Sequence, residues 1–250
     1  MTEVGRELSV DLPAPARALA IGAHSDDVEF GCGATLAKWS AAGTEVHLLV
    51  MTDGSKGTWN ADDDLAALID TRRQEQKAAA AALGAAGVSF LDFVDGELTG
   101  GRDERAAVCE AVRRTGPQVV LGHDPWQRYR LHPDHRHAGF ATLDGIVAAR
   151  DHHFFPEQGL VPHRPERILL FEADAPDHVE RIDAFLAAKV ESLLCHHSQW
   201  RSTMGIEEGT AAADTQRAAF EQRVVDTART AGRVLGCTDA VEAFKLIADV

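Results

Sequence analysis

What this chain does not contain narrows its function first. No stretch approaches the roughly eighteen uninterrupted apolar residues that a membrane-crossing helix needs. The opening MTEVGRELSV is charged where a secretory leader would be apolar. We therefore expect neither a membrane span nor a signal peptide. The four cysteines, Cys32, Cys109, Cys195 and Cys237, are widely spaced with no CxxC pair, so nothing reads as a disulfide framework. They are expected to be reduced thiols in a cytoplasm. A basic run is also missing: 25 Lys and Arg stand against 39 Asp and Glu, a formal net charge of -14. That balance excludes the basic footprint of a nucleic-acid binder. No internal repeat or clear linker divides the chain. Its 250 residues, 45% of them hydrophobic, are expected to form one domain over residues 1–250 with a sizeable core.

Short apolar runs alternate with helical segments. Strands are expected at Arg17 to Ala23, Glu45 to Thr52, Val88 to Phe93, Gln118 to Gly122 and Arg167 to Phe171. Helices are expected after Gly31-Cys32-Gly33, from Asp70 to Leu83 closed by Gly84, from Glu104 to Arg114, and from Pro133 onward. The remainder reads as more helical, with one helix from Val179 to Cys195, a loop over Trp200 to Thr210, and another helix from Ala211 to Val234. This order predicts an α/β, Rossmann-like fold: a mainly parallel sheet, helices on both faces and a helical C-terminal part. The Gly31-Cys32-Gly33 turn lacks the third glycine of a dinucleotide fingerprint, so it is assigned to a tight turn and close helix packing, with Cys32 a small core residue.

Two polar clusters carry the chemistry. Ala23-His24-Ser25-Asp26-Asp27 follows the first expected strand, and His132-Pro133-Asp134-His135 opens a helix after the fourth. Each sets two good metal ligands three residues apart and leaves a spare acid or base beside them. Both fall outside strand carboxyl ends, where ligands of open parallel sheets bind. His24, Asp27 and His135 would give zinc two imidazoles and a carboxylate with one position open. Asp26 is then the natural general base. Pro133 at the first helical position puts His132 near the N-cap and His135 in the first turn, where the helix N-terminus favours the neutral, ligating imidazole. His132 is expected to act as electrophile or general acid, with Asp134 as its orienting partner. Taken singly, Asp26-Asp27 and HPDH also fit plain helix caps. The His152-His153 and His196-His197 pairs point in divergent directions, and most of the remaining histidines are expected at the surface.

With these residues the chain resembles the LmbE-like, or PIG-L, family of zinc-dependent N-deacetylases. Members deacetylate N-acetylglucosaminyl-phosphatidylinositol, bacillithiol and mycothiol precursors, and glycopeptide antibiotics. The family's AHPDD and HPDH patterns stand here as His24-Ser25-Asp26-Asp27 and His132 to His135, and the likeness is best from Arg17 to Gly139. It implies zinc on His24, Asp27 and His135, Asp26 as base, and His132 assisting the oxyanion or the leaving amine. It also implies that Arg72, in an Arg-x-x-Glu helix with Glu75, and Asp95, in an Asp-Gly pair with Gly96, approach the sugar hydroxyls. An HxSQ element is matched by His196, Ser198 and Gln199. Ser25 replaces the family proline. Arg130 stands where thiol-pathway members carry tyrosine, which argues against a thiol precursor and suggests an arginine for an anionic or polar aglycone.

The expected reaction is hydrolysis of the acetamide of an N-acetylglucosamine-type conjugate, with Zn2+ or another divalent ion as cofactor. Two alternatives stay open: an amidase for larger N-acyl or thiol conjugates, and a non-catalytic ligand-binding module of the same fold. The expected partner is a small amino-sugar conjugate, not nucleic acid or a membrane, and a homo-oligomer is compatible with this reading.

Overall fold

A computed structural model describes residues 8–250. Of the opening MTEVGRELSV, residues 1–7 lie outside the described residues. The strands and helices follow in the order β1 (Ser9–Val10), β2 (Arg17–Gly22), α1 (Asp27–Ala41), β3 (Glu45–Thr52), α2 (Leu65–Ala82), β4 (Gly87–Phe93), α3 (Arg102–Thr115), β5 (Val119–His123), α4 (Pro133–Ala149), β6 (Arg167–Phe171), β7 (His178–Arg181), α5 (Leu186–Leu194), α6 (Ala213–Val234) and β8 (Val241–Ala248), with the five expected strands standing as β2 to β6. One eight-stranded sheet runs β1-β7-β8-β6-β5-β2-β3-β4. All neighbours are parallel except β8, which lies antiparallel to both β6 and β7. No helix among the described residues is long and apolar enough to cross a membrane, and the four cysteines are free.

Strand alternation splits the core into two layers. Leu19 and Ile21 of β2 join Val108 and Val112 of α3 and Ala141 and Ile146 of α4. Ala18 and Ala20, pointing the other way, join Leu36 and Trp39 of α1 and Ala80 of α2. A third cluster ties Leu193 and Leu194 to Phe220 and Val224 of α6. The strand order reverses between β2 and β5, so a crevice opens at their carboxyl ends. His24 and His123 both sit there.

Several expectations need correction. The stretch from Val179 to Cys195 is not one helix: it begins as β7, passes through a single turn at Asp183–Phe185, and becomes helical only in α5. His178, Val179 and Glu180 are fully buried, and pairing with β1 and β8 overrides their helical pattern. The C-terminal run β8, not anticipated, supplies that pairing. Trp200 to Thr210 is not wholly loop, because Trp200–Met204 forms a wide helical turn that buries Met204. Nor does the helix start after Gly31-Cys32-Gly33: α1 already begins at Asp27 and runs through these residues, kinked at Cys32 with φ -150°, while their close packing is as expected. A Cβ on Gly31 would lie 2.5 Å from the Phe171 ring.

Gly31→Ala should therefore overpack this contact and destabilise the fold by about 1–3 kcal/mol. Combining it with Phe171→Leu should recover part of the loss, as read by urea unfolding; equal stability of Gly31→Ala and wild type would remove the close approach.

Candidate active site

Asp27 is the first residue of α1, and it is buried. Its Oδ2 accepts the His24 backbone N–H at 2.7 Å, fixing the loop between β2 and α1. The same oxygen lies 3.3 Å from His24 Nδ1 and 3.2 Å from His123 Nε2. Its Oδ1 lies 3.2 Å from His135 Nε2. Burial would raise the Asp27 pKa, but the facing imidazoles of His135, His123 and His24 hold it well below the usual carboxylate range. His24 in turn presents Nε2 to Asp95 and Asp134, each at 3.2 Å. Burial alone would lower its pKa, and the carboxylates of Asp134, Asp27 and Asp95 outweigh it and raise the pKa well above the ordinary value.

Asp26 adopts a left-handed backbone, φ 92°. Its N–H donates to Gln76 Oε1 at 3.1 Å, while Gln76 Nε2 donates to Glu29 at 2.6 Å. Among the described residues, no hydrogen bond reaches its carboxylate. Burial pushes its pKa up to about 6, with Arg72 and His196 pulling the other way. His132 is the N-cap residue of α4, and its solvent-facing ring stands edge-on to His24, centroids 4.7 Å apart. Burial, then the neighbouring His24 and His135, lowers its pKa. His135 sits within the first turn of α4; its Nδ1 accepts from Arg130 Nη2, since a guanidinium can only donate.

His24, Asp26, Asp27, Arg72, Asp95, Arg130, His132 and His135 all line one cavity of about 450 Å³. Among the described residues, ligand atoms close enough to share one ion fall into three overlapping sets: His24 with His132 and His135, Asp27 with His123 and His135, and His24 with Asp95 and Asp134. The expected trio of His24, Asp27 and His135 is linked through Asp27, with its two rings 5.2 Å apart. All donors are nitrogen or oxygen, a set suited to zinc and to several other divalent ions. On the other side of His24, the Asp27 carboxylate is faced by ring nitrogens of His24, His123 and His135 at 3.2–3.3 Å, and a cation shared by His24, Asp27 and His135 fits this convergence of nitrogen and oxygen donors.

The PIG-L family, described as GlcNAc-PI de-N-acetylase, matches residues 19–146. The chain belongs to this family. A diacetylchitobiose deacetylase from Thermococcus kodakarensis is 33% identical over 187 residues, 74% of this chain and 70% of that enzyme. A 4-oxalmesaconate hydratase from Pseudomonas putida is 29% identical over 175 residues, 68% of this chain and 66% of that enzyme. The solved structure of N,N'-diacetylchitobiose deacetylase from Pyrococcus horikoshii matches with a TM-score of 0.82 and 27% identity, over 94% of this chain and 84% of that one.

Within this PIG-L site some side chains stand where the sequence places them and others have different partners. Asp134 was expected beside His132; its carboxylate is fully buried behind the cavity wall, meets His24, and accepts the N–H groups of Gly96 and Leu98. Arg72 was expected at the sugar; its guanidinium lines the cavity but donates to the carbonyls of Ser25 and Gly54 at 2.9 and 3.0 Å. Arg130, expected at the aglycone, donates to Glu172 at 2.8 Å as well as to His135. Asp95 faces His24 and accepts the Lys56 N–H at 3.0 Å. The Arg-x-x-Glu helix and the HxSQ element meet each other: Glu75 accepts from Ser198 N and Oγ at 2.8 and 2.6 Å.

Sequence reasoning missed His123 and Glu172. His123 ends β5 and is almost fully buried, with Nδ1 3.3 Å from Glu172. Glu172 follows β6 with φ 54°. Burial would raise its pKa, but His123, His135 and Arg130 pull it far below the usual range. The signal for both was position at a strand carboxyl end, shared with His24: His123 follows the expected strand Gln118 to Gly122, and Glu172 the expected strand Arg167 to Phe171. His196 of the HxSQ element is fully buried, with Nε2 3.7 Å from Glu29.

Gln76→Leu should leave the Asp26 N–H and one Glu29 oxygen buried without partners. The expected loss is about 1–3 kcal/mol for each unpaired group, measured by chemical denaturation, and an unchanged midpoint would show that the pairing contributes nothing.

Proposed function

We propose that this protein hydrolyses the acetamide of an N-acetylglucosamine-type substrate, releasing acetate and a free amino sugar. The observation that carries this reading is the unbonded Asp26 carboxylate lining the same cavity as His24, Asp27, His132 and His135. In this reading His24, Asp27 and His135 hold a divalent cation, zinc by preference. When bound, that ion would polarise the acetyl carbonyl and lower the pKa of a water. Asp134 orients His24 through Nε2, which would leave Nδ1, on the Asp27 side, to hold the ion.

Asp26 takes a proton from the attacking water, whose oxygen bonds to the carbonyl carbon. His132, on the solvent side of His24, donates a hydrogen bond to the oxygen that gains negative charge. As the C–N bond breaks, Asp26 returns its proton to the departing nitrogen, leaving acetate and the amine. Arg72, tied to two backbone carbonyls, holds the loops after β2 and β3 together rather than carrying charge to the substrate. Residues 1–250 are read as one domain working in a cytoplasm.

The test is release of primary amine from a panel of N-acetylglucosamine conjugates by the zinc-loaded protein, a product that hydration of a double bond would not yield. Asp26→Asn should keep the metal and lose about 10²–10⁴-fold in kcat; full activity in that variant would sink the base assignment. Asp27→Ala should lower metal content per chain, and unchanged content would take Asp27 off the ligand set.

Asp134→Asn tests the orienting role separately. Metal affinity should fall about 10–100-fold with the fold retained, read by competition against a chelator. Unchanged affinity would return Asp134 to a purely structural place beneath Gly96.

A further inference from the structure

A second cavity, of about 570 Å³, adjoins the first and shares Gly57 with it. Gly57 forms the sill between them: its carbonyl accepts from Gln199 Nε2 at 3.0 Å. A Cβ there would collide with Arg72 Nη1. Trp59 lines the second cavity and is 84% exposed. Its turn is held by its own hydrogen bonds, Thr58 Oγ1 and Asn60 Nδ2 both donating to Asp63 at 2.5 and 2.6 Å. The indole is thus presented by an ordered loop. Arg201 lines the same cavity and makes no ion pair with a described residue, although the chain carries a net charge of -14.

We propose that this cavity seats the ring next to the acetylated sugar, a pyranose or similar polyol, with Trp59 stacking on its C–H face and Arg201 donating to its hydroxyls. The inference rests on the deacetylase reading and adds where the substrate continues. The lining suits a neutral polyol. An aromatic face with a few convergent polar groups is the usual make-up of a ligand site. No aliphatic side chain of a described residue lines the cavity to hold a lipid tail, and the Asp63 carboxylate in the same lining disfavours a phosphate. The closed turn keeps the ordering penalty of binding low.

The experiment compares amine release from N-acetylglucosamine and from N,N'-diacetylchitobiose by the metal-loaded wild type, Trp59→Ala and Arg201→Ala. Each variant should lose about 10-fold in kcat/KM on the disaccharide, through KM, and keep its rate on the monosaccharide. An equal loss on both sugars, or no loss on the disaccharide, overturns the subsite. Tryptophan emission of metal-free protein, titrated with the same disaccharide, reads binding without turnover. A change seen in wild type and absent in Trp59→Phe supports the subsite even if neither sugar is hydrolysed, an outcome that would count against the deacetylase reading alone. An undiminished change in Trp59→Phe, or none in wild type, removes it.

Discussion

A carboxylate withdrawn from water needs opposite charge and hydrogen-bond donors around it, because its desolvation costs several kcal/mol. Asp27 imposes that demand on this chain. It is answered from three separate places: His24 beyond β2, His123 at the end of β5, and His135 in the first turn of α4. The same carboxylate holds the backbone N–H of His24. The spacing of β2 and β5 and the seating of α4 are therefore coupled to one side chain. Around it the charges alternate outward, His24 to Asp134 and Asp95, His123 to Glu172, Glu172 to Arg130. Each of these charges is thereby paired, with the Asp26 carboxylate left outside the network, and the imidazoles are held with their nitrogens toward a common space.

Beneath that space lies a second set of contacts that positions rather than reacts. Asp26 holds a left-handed backbone that side chains with a Cβ rarely adopt, and short acidic residues tolerate it best. Gln76 grips its N–H and is itself held by Glu29, whose other oxygen faces His196. Arg72 joins the carbonyls of Ser25 and Gly54. Ser198 is bound to Glu75, and Gln199 to Gly57. Through these links the helical C-terminal part reaches the loops at the crevice. A pre-set cavity of this kind asks little reorganisation of its groups during reaction.

The fold was legible wherever a residue's neighbours in sequence decide its environment. Strands β2 to β6 announce themselves as apolar runs with turn residues at their ends, and Pro133 marks the start of α4. The stretch around Val179 misled because its pattern suits a helix, while burial between β1 and β8 makes it a strand. In the site, His24, Asp26, Asp27, His132 and His135 were readable as ligand-type residues at strand ends and a helix start, and they do line one cavity. Asp134 was assigned to its sequence neighbour, yet it meets His24 across 110 positions. Helix geometry explains this: adjacent residues point apart, so the partner of Asp134 comes from another element.

The amino-acid sequence alone determined which side chains are available for chemistry, where the strands end, and that a mainly parallel sheet would carry both clusters to one edge. These follow from local periodicity and turn chemistry. Only the tertiary structure decided who faces whom: that His123 and Glu172 join Asp27, that Arg72 and Arg130 hold protein groups, and that Trp59 stands over a neighbouring cavity. Pairings of this kind depend on which strand ends meet at the switch between β2 and β5, and no spacing along the chain encodes them.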